Sequence, residues 1–133
     1  MCVCLFVQWN NCTFVQLKEK LSTNPLLYAP DFKRQFILQT DASDTGIGIV
    51  LGQRNDRGGK HPILYLSKKF SDAEKVYGTT EKECAAIVYA VKKLNCYLDG
   101  QQKFIIQTNH NPLVWLKTNA GTNPRLMRWS LAL

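Results

Sequence analysis

The sequence lacks any long uninterrupted apolar run. Its most apolar opening, Met1-Cys-Val-Cys-Leu-Phe-Val7, has neither a basic leader nor a small-residue cleavage site and passes straight into Gln8-Trp9-Asn10-Asn11. A secretory signal and a membrane span are therefore not expected. Metal-ligand cysteine spacing is also missing: the 5 cysteines, Cys2, Cys4, Cys12, Cys84 and Cys96, are odd in number and form no paired C-x-x-C or H-x-x-x-H pattern. Reduced thiols in an intracellular compartment, cytoplasmic or nuclear, are the simplest reading. Acidic residues are the scarce charge, with 10 Asp and Glu against 17 Lys and Arg, a formal net charge of +7 and a pI near 9.3. That balance makes an acidic polymer, nucleic acid first, the partner to consider. The basic residues are scattered, however, and a scattered basic surface is often only a solvated one.

What is present suits one globular domain: 133 residues, of which 45% are hydrophobic, can bury a single core. The stretch Phe36-Ile-Leu-Gln-Thr-Asp-Ala-Ser43 organises the rest. It reads as a buried strand that delivers Asp41 into a run of small turn-forming residues. Phe104-Ile-Ile-Gln-Thr-Asn109 repeats the pattern Phe-Ile-x-Gln-Thr, with Asn109 in the place of Asp41. If the two strands lie side by side in parallel, their polar ends meet at one rim of a sheet.

In chain order, Phe14, Leu17 and Leu21 have helical spacing, and Ser22-Thr-Asn-Pro25 ends that helix. An extended connector follows to about Phe32, so residues 1–31 read as a lead-in and residues 32–133 as the domain. Strands are expected at Phe36–Ala42, Gly46–Gln53 and His61–Ser67, an antiparallel meander. The glycines of the second strand have two readings, close packing between strands or a backbone open to a ligand. Ser71-Asp-Ala-Glu74 has the form of a capping box. The strongest helix runs from Thr80 to about Leu98, with Cys84, Ile87, Val88, Val91, Leu94 and Leu98 on one stripe and Lys82, Lys92 and Lys93 away from it. A strand at Phe104–Thr108, a helix from Asn111 or Pro112 to Leu116, a polar loop at 117–122 and a last helix opening at Asn123-Pro124 complete the chain. The fold class is α/β: a mixed sheet of three antiparallel strands plus one parallel strand, with flanking helices.

Glu83 lies in the first turn of the long helix. Thr80-Glu-Lys-Glu83 fits a capping box, in which the glutamate serves only the helix end; alternatively the helix start overlies the strand rim and Glu83 points at Asp41. Asp41 alone could form a turn, as Asp44 does with Thr45-Gly46. Carboxylates gathered at one rim repel one another unless hard dications neutralise them.

Five segments carry a family resemblance: Leu38-Gln-Thr-Asp-Ala-Ser-Asp-Thr-Gly-Ile-Gly48, His61-Pro-Ile-Leu-Tyr-Leu-Ser67, Tyr77-Gly-Thr-Thr-Glu-Lys-Glu-Cys-Ala-Ala-Ile-Val88, Thr108-Asn-His-Asn-Pro-Leu113 and Arg125-Leu-Met-Arg-Trp129. In order and spacing they resemble the ribonuclease H domain that follows reverse transcriptase in the pol polyproteins of gypsy-type LTR retrotransposons. The resemblance implies an RNase H-like sheet, two Mg²⁺ ions (or Mn²⁺), an RNA–DNA hybrid substrate and an upstream reverse transcriptase domain. It assigns Asp41 as the carboxylate shared by both ions and Glu83 as a ligand on the leaving-group side. The family motif Thr-Asp-His places a further carboxylate where this chain has Asn109, while His110 and Pro112 match. The family's fourth carboxylate belongs to a segment beyond Leu133, so a truncated domain with an uncovered sheet edge is expected. Weakened metal binding and impaired cleavage follow, with a non-catalytic nucleic-acid-binding or connection-type module as the alternative. Lys60, Lys68, Lys69, Lys103, Arg125 and Arg128 are candidate phosphate contacts.

Overall fold

The structure is a computed structural model and describes residues 5–8, 27–101, 103–109 and 111–132. The expected helix over Thr13–Leu21 lies outside the described residues. Strand β1 is Leu5–Gln8, β2 is Phe36–Ala42, β3 is Gly46–Arg54, β4 is Lys60–Lys69 and β5 is Ile105–Thr108. The helices are α1 (Asp72–Lys75), α2 (Thr79–Lys93), α3 (Asn95–Leu98), α4 (Pro112–Asn119) and α5 (Pro124–Ala132), with a 3-10 turn at Ala120–Thr122.

The meander is present, with β2 antiparallel to β3 and β3 antiparallel to β4. Strand β5 lies parallel to β2 in the register Ile37↔Ile105, Leu38↔Ile106, Gln39↔Gln107. The two Phe-Ile-x-Gln-Thr copies are therefore aligned residue for residue. The mixed four-stranded sheet is as the sequence implies; what it did not reveal is a fifth strand. In the order β1-β5-β2-β3-β4, β1 pairs in parallel with the outer side of β5, Leu5↔Ile105 through Gln8↔Thr108. The edge expected to be uncovered is thus paired, although residues 1–31 read as a lead-in.

Alternation decides which side chains meet α2. Phe36 and Leu38 of β2, Ile47, Ile49 and Leu51 of β3, and Ile106 of β5 bury against Ala86, Ile87, Ala90 and Leu94. The alanines let the helix approach the sheet closely, and each large side chain buried there contributes about 1.5–3 kcal/mol. A smaller cluster of Cys84, Leu116 and Leu126 binds α4 and α5 to the far side of α2. The long helix is shorter than its apolar stripe suggests: it stops at Lys93, and α3 follows Leu94. The polar loop expected at 117–122 is instead mostly helical, because Thr118 Oγ1, Asn119 Nδ2 and Thr122 Oγ1 donate to the carbonyls of Val114, Trp115 and Asn119.

Close packing accounts for two of the strand glycines, since a Cβ at Gly46 would lie 2.6 Å from the Lys68 carbonyl oxygen and one at Gly52 2.7 Å from that of His61. The connector is fastened to the sheet by buried Gln53, whose side chain accepts from the Asp31 amide and donates to the Asp31 and Arg34 carbonyls. Deleting residues 1–8 should leave β5 as a bare edge. The expected outcome is faster hydrogen exchange at the Ile105–Thr108 amides and a lower thermal midpoint, measured by exchange mass spectrometry and circular dichroism; unchanged exchange would show that β1 protects nothing.

Candidate active site

The parallel register carries the ends of β2 and β5 to the same rim. There the Asn109 Nδ2–H donates to Asp41 Oδ1 at 2.9 Å. One pair back along the same face, Gln39 Nε2 donates to Gln107 Oε1 at 2.7 Å, and Lys60 Nζ donates to the same oxygen at 2.8 Å. Two cross-strand polar pairs therefore tie the strands on one face while Leu38 and Ile106 pack on the other. Partial burial first, and neighbouring Arg54 second, hold the Lys60 ammonium below the usual lysine range.

Glu83 is not the capping residue of its helix. That task falls to Glu81, whose Oε2 accepts from the Gly78 amide at 3.0 Å. Released from the cap, Glu83 turns inward: it is 2% exposed, and its Oε2 accepts from Thr108 Oγ1 at 3.1 Å. Thr108 directly precedes Asn109, so the chain brings Asp41, Glu83 and Asn109 to one end of β2 and β5. His110 lies outside the described residues. Beside Asp41, its cross-strand partner Gly48 is exposed, and a Cβ there would meet nothing within 4 Å. The ligand-access reading of the strand glycines thus fits Gly48, and the packing reading fits Gly46 and Gly52. The turn after Asp41 is pinned by Ser43, whose Oγ accepts from the Thr45 and Gly46 amides. Asp44 lies in the turn between Ser43 and Gly46, as read, and its side chain accepts from Lys82 Nζ.

Next to Glu83, burial pushes the Cys84 thiol up to about 12, with Glu81 and Glu83 adding to the effect. Its Sγ–H donates to the Pro112 carbonyl. Cys84 is a packing residue, not a nucleophile.

The six basic candidates divide by environment. Lys69, Lys103 and Arg128 are exposed. Lys60 is engaged by Gln107, and Lys68 is paired with Glu74 and lies 5.2 Å from the centre of the Tyr89 ring. Arg125 is held most firmly: Nη2 donates to Glu81 Oε1 at 2.7 Å, and its guanidinium stacks over Tyr77 and Trp129. It clamps α5 to the start of α2. Sequence reasoning missed Thr108 as the partner of Glu83 and the Gln39–Gln107 pair, although both lie within the repeated Gln-Thr that it singled out.

Residues 31–133 match the model of an RNase H-like domain found in reverse transcriptase. The chain is 40% identical over 120 residues to the retrovirus-related Pol polyprotein from transposon 297 of Drosophila melanogaster, covering 90% of this chain and 11% of that protein. It is also 40% identical over 108 residues to the Pol polyprotein from transposon gypsy of the same organism, covering 81% and 10%. The chain thus spans about a tenth of these relatives. A foamy viral protease-reverse transcriptase in complex with an RNA/DNA hybrid shares the fold, with a TM-score of 0.61 and 21% identity over 92% of this chain and 17% of that one.

The Thr108–Glu83 bond has a testable energetic consequence. Thr108→Val keeps the shape but removes a donor from a buried carboxylate, which should cost about 1–3 kcal/mol. Urea denaturation should register that loss without a change in the m-value.

Proposed function

Because the chain belongs to the RNase H-like domain family found in reverse transcriptase, we propose that it is the ribonuclease H portion of a retrotransposon pol polyprotein. It binds RNA–DNA hybrids beside an upstream reverse transcriptase domain in the cytoplasm or nucleus, with hydrolysis of the RNA strand lost or severely weakened. The observation that carries this reading is the hydrogen bond from Asn109 to Asp41.

Mg²⁺, or Mn²⁺ in its place, is the cofactor such hydrolysis requires, and the residues present do not fit a two-ion centre. Among the described residues no group of three or more His, Cys, Asp or Glu side chains is placed to hold a metal. Asp41 and Glu83 supply two carboxylates, and Asn109 supplies an uncharged amide that donates to Asp41 here and, turned the other way, would offer a dication one neutral oxygen in place of a charged one. The bond occupies Asp41 Oδ1, so an ion taking that oxygen competes with it. Two carboxylates and a neutral amide oppose far less charge than a site built for two dications. Loss of one charged ligand commonly costs several kcal/mol, which at about 1.4 kcal/mol per factor of ten is about a hundredfold or more in rate.

The chain's own residues retain what binding needs. Thr108 holds Glu83, the pinned Ser43 turn holds the end of β2, and Gly48 leaves the backbone open beside Asp41. The same hydrogen bond favours the connection-type reading, a hybrid-binding module without efficient cleavage. Among the described residues no helix is long and apolar enough to cross a membrane.

A labelled RNA–DNA hybrid distinguishes these roles. The unmodified chain should bind it in a salt-sensitive way and cleave it little with Mg²⁺ or Mn²⁺. Asn109→Asp should raise metal-dependent cleavage about a hundredfold, and Asp41→Asn should abolish what remains. Robust cleavage by the unmodified chain, lost in Asp41→Asn, would refute the impairment.

A further inference from the structure

Lys82 is the residue whose placement stability explains least. Helical spacing sets it on the solvated side with Lys92 and Lys93, yet it is only 8% exposed, in the first turn of α2 directly before Glu83. That position is unfavourable twice over. Burial confines a long, rotamer-rich side chain, and a cation in the first turn of a helix opposes the positive end of the helix dipole. Its Nζ extends to Asp44 Oδ1 at 3.0 Å, and the Asp44 side chain is 98% exposed. An exposed carboxylate returns little for such a pairing, because solvent screens it. Arg125 differs, since Glu81 and two aromatic rings commit its guanidinium to packing.

Asp44 stands three residues after Asp41, on the turn that Ser43 pins. Lys82 therefore holds its charge at the rim of the candidate site against a partner that water already reaches from every side. We propose that Lys82 is a phosphate-contacting residue for the nucleic-acid strand that crosses this rim, and that Asp44 is an internal stand-in for the phosphodiester, displaced on binding. The buried stem fixes the ammonium in advance, so binding exchanges one anionic oxygen for another. The inference rests on the reading of the chain as a hybrid-binding domain and adds a contact outside the six basic candidates.

The test is fluorescence anisotropy with a labelled RNA–DNA hybrid across a salt series, with thermal melts as controls. Lys82→Gln should weaken binding several-fold and flatten the slope of log affinity against log salt by about one. Lys82→Arg should bind nearly as the unmodified chain does. Asp44→Asn should tighten binding, and that gain should vanish when Lys82→Gln is also present. Unchanged affinity and slope in a fully folded Lys82→Gln would overturn the proposal. Equal tightening by Asp44→Asn in both backgrounds would also overturn it, since the effect would then be one of general charge. If Lys82→Gln does not fold, Asp44→Asn is compared with Asp56→Asn, which removes the same charge from another exposed carboxylate: tightening by Asp44→Asn alone supports the displacement, and equal or no tightening refutes it. Absence of hybrid binding by the unmodified chain would instead remove the functional reading, and this contact with it.

Discussion

Three residue pairs, Ile37↔Ile105, Leu38↔Ile106 and Gln39↔Gln107, join β2 to β5 in parallel, and the position of every group at the rim follows from them. A strand's side chains alternate between faces, so a slip of one residue would turn Leu38 and Ile106 away from α2 and separate Asp41 from Asn109. The register is held from both sides of the sheet. Apolar burial against Ile87 and Ala90 fixes one face, and the Gln39–Gln107 amide pair ties the other. The long helix that spans the distance between β4 and β5 is packed over these same strands, which is why its first turn can present Glu83 to Thr108.

At the end of this pairing the chain places a neutral amide against a carboxylate. Two carboxylates in that position would repel each other and call for a cation; an amide and a carboxylate attract through an ordinary hydrogen bond and call for nothing. One side-chain change, oxygen to nitrogen at residue 109, thus alters what the rim needs in order to be stable. It leaves the fold intact, since neither the register nor the core depends on that atom. Fold and rim are separable here because the core lies between sheet and helix, and the polar groups of the candidate site lie at the ends of strands and the start of a helix.

The sequence was most legible where periodicity and burial agree. Phe36–Ala42 was delimited as observed, because its alternation and the turn after it give one answer. The parallel placement of β5 was legible through the repeated Phe-Ile-x-Gln-Thr. Glu83 was read as a possible cap because two glutamates lie within reach of the helix start, and spacing alone could not show that Glu81 takes the Gly78 amide. Lys82 was assigned to the solvated side from helical spacing; its contact with Asp44, on a turn that no local pattern links to α2, was not legible. Strand β1 was illegible for the same reason, since pairing with β5 connects residues a hundred positions apart.

The central claim is that Asn109 satisfies Asp41 in place of a metal. The most direct measurement is the side-chain amide resonance pair of Asn109, followed by nuclear magnetic resonance during a Mg²⁺ titration. A bonded amide should give two well-separated, exchange-protected proton signals that Mg²⁺ leaves in place, and Asp41→Asn should shift them. Saturable movement of those signals with Mg²⁺ in the unmodified chain would mean that the ion displaces the amide, and would contradict the claim.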